Sequence, residues 1–237
     1  MCASGRWARC RSISGLVACE DDSMDRFGLV VVDPVRAFTD PDGVIGRLHG
    51  HGQFRVIVDT VGRLALFAAG HSGPKVWVTS SYAPGQFTGG DLSHPLAQLC
   101  TSASPDDCAW DPRLTPPPDA LVATKTSMDA GSCQEFVDAV DAMAGEVDAV
   151  LLTGFWLSAC VAATAASCAP RLAGRVPVVL PLSLAATRLG LYDPDDVHPS
   201  EIDVTARLVE IRSDAVIVCD TPATWRSQGR DKAHVLP

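Results

Sequence analysis

Two hydrophobic rhythms alternate along the chain. Leu29-Val30-Val31-Val32 is an unbroken apolar, β-branched run that ends at Asp33. Residues 54–69 (FRVIVDTVGRLALFAA) then place apolar side chains at helical spacing and stop at Gly70. The exchange repeats. Short apolar runs predict further strands over 76–79, 120–124, 149–152, 176–180 and 215–218. Helical spacing predicts helices from 132 to about 144, over 157–172 and from about 199 to 212. Ser132-Cys133-Gln134-Glu135 has the form of a capping box, and Gly174 is placed to end the Ala-rich helix. Strands apolar on both faces, alternating with helices, predict an α/β domain whose mostly parallel, six-stranded sheet is covered on both sides.

Two regions break the rhythm. Residues 1–24 carry Arg6, Arg9 and Arg11 and then an acidic cluster, without periodicity, and read as a disordered extension. Met24, just before the first strand, offers an alternative start. Residues 82–119 are rich in Pro, Gly, Ser and Asp. A loop this long in a compact domain is either functional or a solvated insertion. The domain is expected over 25–222, with 223–237 as a tail.

Composition narrows the class. The chain has 237 residues, 47% of them hydrophobic, with 19 Lys+Arg against 28 Asp+Glu. That acidic balance argues against a nucleic-acid surface, which needs excess cations. No apolar run approaches the roughly 18 residues of a membrane span. The 9 cysteines are odd in number and include no CxxC pair, so they do not read as a disulfide framework. With no apolar leader segment, a reduced, cytoplasmic chain is expected. Cys100 and Cys108 flank a loop tip and leave a bridge or redox pair open, while Cys133, Cys168 and Cys219 read as small buried hydrophobes.

Ligands of parallel sheets bind beyond the carboxyl ends of the strands. There the sequence places Asp33, then Lys125, then the turn Thr153-Gly154-Phe155-Trp156-Leu157-Ser158-Ala159-Cys160. A thiol at a helix N-terminus feels the positive end of the helix dipole, and a nearby ammonium adds to that, so a thiolate is expected. A carboxylate within reach can take the thiol proton and return it to a leaving group. Free amides of the turn can hold a developing oxyanion.

Three segments carry a resemblance. LVVVDPVRAF (with Asp33 and Phe38), LVATKTSMDAG (with Lys125) and LLTGFWLSACVAATAASCA (with Cys160, Val161 and Thr164) together resemble the isochorismatase-like cysteine hydrolase superfamily. That superfamily includes nicotinamidases and N-carbamoylsarcosine amidohydrolases, and the resemblance spans roughly residues 27–220. It implies a three-layer α/β/α sandwich. It implies Cys160 as nucleophile, Asp33 as the carboxylate that activates it and Lys125 as the group that orients both. It implies a cis peptide at Phe155–Trp156 and an oxyanion hole from the N–H groups of Trp156 and Cys160. It also implies a dimer or tetramer.

The chain departs from the family pattern at several points. The Gln usual two residues after the Asp is Val35, and Pro34 precedes it. Where nicotinamidases carry an Asp-x-His metal cluster this chain has Ser80-Ser81-Tyr82, and His49-Gly50-His51 lacks a carboxylate at matching spacing. No metal and no other cofactor is therefore expected. An Asp common after strand five is replaced by Pro181-Leu182-Ser183. The bulky Phe155 and Trp156, with Phe38, Tyr82 and Phe87, suggest a narrow aromatic pocket. The leading expectation is a cysteine hydrolase that cleaves a C–N bond of a small carboxamide or carbamoyl substrate. The alternatives are isochorismatase-type vinyl-ether hydrolysis, which needs no thiol, and a catalytically silent binding member of the fold.

Overall fold

The computed structural model describes residues 26–49, 54–186, 216–219 and 221–222. The expected helix near 199–212, the tail and the N-terminal extension lie outside the described residues. The strands are β1 (Phe27–Val32), β2 (Lys75–Ser80), β3 (Leu121–Lys125), β4 (Ala149–Phe155), β5 (Val178–Pro181), β6 (Ala185–Ala186) and β7 (Val216–Cys219). The helices are α1 (Arg36–Thr39), α2 (Val44–His49), α3 (Arg55–Gly70), α4 (Pro105–Cys108), α5 (Gln134–Met143) and α6 (Ala162–Leu172).

The sheet is parallel throughout, in the order β3-β2-β1-β4-β5-β7, with the two-residue β6 pairing with β4. The six expected strands are present, and β6 is the addition. Alternation along β1 divides the core in two. Leu29 and Val31 pack on one side with Ile57, Val61 and Leu64 of α3. Val30 and Val32 pack on the other with Phe136 and Val140 of α5 and Ala165 and Leu172 of α6. Each strand residue thus feeds one of two apolar layers, which is what makes the run unbroken in sequence.

Three local details differ from expectation. Helix α5 starts at Gln134 without a side-chain cap. Ser132 ends a 3-10 turn, and its hydroxyl donates instead to the Asp129 carbonyl at 2.7 Å. Glu135 accepts from the Cys133 thiol at 3.0 Å, so the capping box does not form. The Ala-rich helix opens as a π-turn over Leu157–Val161, with the Val161 N–H donating to the Trp156 carbonyl at 3.1 Å, before α6 begins. Such widened turns concentrate at functional sites.

The segment between β2 and β3 is an ordered cap. Val35 bridges Trp110, and the Arg36 N–H donates to the Ala109 carbonyl at 2.8 Å. Trp77 Nε1 donates to the Leu114 carbonyl at 2.8 Å, and the Tyr82 N–H to the Cys100 carbonyl at 3.0 Å. Its Pro, Gly and Asp content serves tight turns that fold the segment back over the carboxyl ends of the strands.

Gly154 is the backbone position with least freedom. Its φ is +108, and a Cβ there would stand 2.2 Å from the Val32 carbonyl oxygen of β1. Gly62, inside α3, has open space around the same position. Gly154→Ala should therefore cost more than about 3 kcal/mol or prevent folding. Gly62→Ala should add about 0.5–1 kcal/mol by removing backbone entropy from the unfolded chain. Urea denaturation of the two variants against the parent checks both signs.

Candidate active site

Strand order reverses between β1 and β4, because the chain builds β1, β2 and β3 outward and then returns to the other side of β1. Asp33 follows β1 there. Its φ is +52, unusual for a residue with a side chain, and its N–H donates to the Val78 carbonyl at 2.8 Å. Neighbouring strands hold this unfavourable conformation in place. Lys125 ends β3, in register with Ser80 of β2. Cys160 stands on the π-turn beyond β4. The Phe155–Trp156 peptide in that turn is cis.

The structure brings the three expected groups together. Lys125 Nζ lies 2.9 Å from Asp33 Oδ2, both side chains at 0% exposure. The contact is one of charge, since Asp33 Oδ2 has no aligned hydrogen bond. Lys125 Nζ also reaches Ser80 Oγ at 2.7 Å, the Tyr82 hydroxyl at 2.6 Å, the Ser127 carbonyl at 3.2 Å and Cys160 Sγ at 3.5 Å. Ser80 Oγ is 2.6 Å from Asp33 Oδ1 and 2.8 Å from the Tyr82 hydroxyl. The Tyr82 hydroxyl is 3.8 Å from Cys160 Sγ.

Proton counting orders this cluster. Ser80 has one proton, and the short contact to a carboxylate takes it. The Tyr82 oxygen accepts from Lys125, so its own proton points to Ser80 Oγ or to Cys160 Sγ. A thiolate at Sγ would draw it, and Tyr82 thus stands beside Lys125 as a second donor to the sulfur. Burial and the charges of Asp33 and Cys160 push the Tyr82 phenol far up, so it keeps that proton. Burial alone would lower Lys125, but the charges of Asp33 and Cys160 prevail and hold its pKa above the ordinary lysine value.

The expected resting thiolate is not what this environment favours. Burial, then the Asp33 charge, push Cys160 up to about 12, against the opposing pull of Lys125. The arrangement is thus a neutral thiol beside the carboxylate that can take its proton.

Cys160 forms the floor of a cavity of about 150 Å³. Phe38, Tyr82, Phe87 and Trp156 line it. Phe38 and Trp156 meet edge to face at 5.9 Å, and Tyr82 and Phe87 at 4.7 Å. Phe155 does not line it. Alternation along β4 turns that ring, at 0% exposure, into the core layer with Ile57. Ile45, Leu96, Leu99 and Met128 complete the wall and carried no signal in the sequence, since they meet only through long-range folding of α2 and the cap. Ser80 was visible in sequence only as a departure from a metal motif.

Among the described residues no group of three His, Cys, Asp or Glu side chains could share a metal ion. The end of β2 supplies hydroxyls, which are weak ligands for a divalent metal, and the carboxylate beside them, Asp33, is already paired with Lys125. His51 lies outside the described residues, and the His49 side chain is not described. Cys100 and Cys108 are free thiols, each aimed at a backbone carbonyl of the other's turn at 4.0 Å. Val35, in place of the family Gln, is fully buried beneath the cap. No helix among the described residues is long and apolar enough to cross a membrane.

Comparisons with known proteins place the chain in a family. The isochorismatase domain family matches residues 28–171, more than half of the chain. The chain belongs to the isochorismatase family. A cysteine hydrolase from Pseudomonas syringae pv. phaseolicola 1448A is similar at 19% identity and TM-score 0.61, over 85% of this chain and 91% of that one. N-carbamoylsarcosine amidase from Thermoplasma acidophilum is similar at 23% identity and TM-score 0.50, over 72% and 87%. A pyrazinamidase of Pyrococcus horikoshii, solved in complex with zinc, is similar at 17% identity and TM-score 0.57, over 82% and 98%. At these identities the likeness establishes the fold. Among curated protein sequences none matches the chain.

Two outcomes follow from the buried charges and thiols. Lys125→Met strands the Asp33 charge and should cost about 3–5 kcal/mol. The double variant Asp33→Asn, Lys125→Met should cost less than the sum of the single changes, as measured by a double-mutant cycle in urea. Burial also pushes Cys168 up to about 12, and burial raises Cys100 and Cys133. Unfolded thiols ionise near about 8.5. Below that pH the buried thiols' contribution is constant. Above it the unfolded chain sheds protons that the native chain keeps, so stability falls by up to about 1.4 kcal/mol per pH unit for each buried thiol. Urea midpoints measured from pH 7.5 to 9.5 should decline accordingly.

Proposed function

We propose that the protein is a cysteine hydrolase that cleaves the C–N bond of a small carboxamide or carbamoyl substrate through a thioester, without a metal. The observation that carries this reading is the convergence of Asp33 and Lys125 behind Cys160, whose sulfur lines the cavity. Asp33 takes the Cys160 proton as Sγ attacks the substrate carbonyl carbon. Lys125 and the Tyr82 hydroxyl compensate the charge that develops on sulfur. The amides of Trp156 and Cys160 receive the oxyanion. Asp33 returns the proton to the nitrogen as the C–N bond breaks, and ammonia or an amine leaves. Water then attacks the thioester with Asp33 again as base, releasing the acid and restoring the thiol. Vinyl-ether hydrolysis would use the carboxylate and leave the sulfur idle. The direct Lys125–Cys160 contact therefore favours the amide reading. The acting protein is taken to be cytoplasmic and homo-oligomeric, a dimer or tetramer, with no nucleic-acid or membrane partner.

Ammonia release across a panel of primary amides tests the reading. Cys160→Ala should abolish release, and Asp33→Asn should lower kcat by about 10²–10⁴-fold. Added hydroxylamine should divert the thioester to a hydroxamate. Release that survives Cys160→Ala would overturn the mechanism.

A further inference from the structure

The cavity specifies more than an amide. Its wall is made of the side chains of Ile45, Leu96, Leu99, Phe38, Phe87 and Trp156, with the Tyr82 ring, Ala159 and Met128, and the Cys160 sulfur at the floor. No charged side chain lines it among the described residues. Lys125 and Asp33 lie beneath the floor, paired and at 0% exposure. Arg36 pairs with Asp40 at 3.0 Å and, with Arg47, opens on a separate polar groove shared with Asp106 and Asp107. Met128, at 46% exposure, offers an apolar side chain at the mouth.

Size narrows the choice further. A cavity of about 150 Å³ lined by aliphatic and aromatic side chains takes a ligand the size of benzene. It is well below the roughly 300 Å³ at which drug-sized pockets begin. A substrate carboxylate placed here would lose its water and find no cation among the described residues that line the cavity. We infer that the substrate is a primary amide of an uncharged, apolar acid whose acyl group is about the size of a benzene ring or a branched butyl chain. The leaving group is ammonia, since an apolar wall of this size leaves no place for a polar amine portion as well. This inference rests on the cysteine-amidase reading and adds the class of acyl group to it.

The reaction balances without a co-reactant beyond water. The Cys160 Sγ–C bond forms as the C–NH₂ bond breaks, the thiol proton leaves with ammonia, and water supplies the acid's hydroxyl and restores the thiol proton.

The test pairs turnover with binding. Benzamide and isobutyramide are compared with succinamic acid and N-carbamoylglycine, which are of similar size but carry a carboxylate. Ammonia release gives kcat/KM for the wild-type protein, and calorimetry on Cys160→Ala gives affinity without turnover. The expected result is a preference for the apolar amides on the order of 100-fold or more in both readouts. Succinamic acid or N-carbamoylglycine turned over as fast as the apolar amides would overturn the acyl class and leave the cysteine hydrolase standing. Benzamide or isobutyramide bound by Cys160→Ala but released by neither protein as acid would uphold the acyl class and overturn the amidase reading. Failure of both apolar amides to bind Cys160→Ala would overturn the acyl class. A second variant checks the cause. Met128→Lys, at the exposed mouth, should shift the ratio toward succinamic acid by about tenfold, and an unchanged ratio would refute control by the wall's lack of charge.

Discussion

The structure is organised around a carboxylate and an ammonium with no access to water. Asp33 and Lys125 come from strands separated by β2, and each is fully buried. Neither charge is tolerable alone in this interior. Their pairing requires β1 and β3 to keep fixed register with β2, and Ser80 fills the gap by meeting both. The pair thereby ties sheet geometry to site geometry. It also sets the state of the sulfur. A lone cation beside Cys160 would favour thiolate, but a cation already matched by a carboxylate leaves burial to decide, and the thiol stays protonated.

Around this centre, chemistry and selectivity come from different parts of the chain. Asp33, Lys125 and Cys160 sit at strand ends of the parallel sheet. Ile45 comes from α2, and Phe87, Leu96 and Leu99 come from the cap between β2 and β3. Tyr82 belongs to both, with its ring in the wall and its hydroxyl in the charged cluster.

Much of this was legible in the sequence, for identifiable reasons. Asp33, Lys125 and Cys160 each follow an apolar run, and a parallel sheet delivers such residues to one edge whatever the loops do. Phe155 was misread because it and Trp156 are equally bulky neighbours. Phe155 is the last residue of β4 and is fully buried, whereas Trp156 follows the strand on the turn and reaches the cavity wall from the same apolar layer. The capping box at Ser132–Glu135 was a correct pattern with its hydroxyl already engaged by the preceding turn. Ile45, Leu96 and Leu99 look like ordinary core residues because their role depends on contacts distant in sequence. The cap itself has a loop's composition yet is fastened by the Val35–Trp110 bridge and the Trp77 indole.

That fastening has a consequence for how the protein could diversify. The cap is anchored through Val35, Trp77 and Trp110, none of which lines the cavity. Side chains such as Phe87, Leu96 and Leu99 can therefore change without loosening the attachments that hold the segment in place. New specificities would be reached by repainting the roof while the foundations and the furnace below stay as they are, and a combinatorial library confined to those positions is the natural place to look for them.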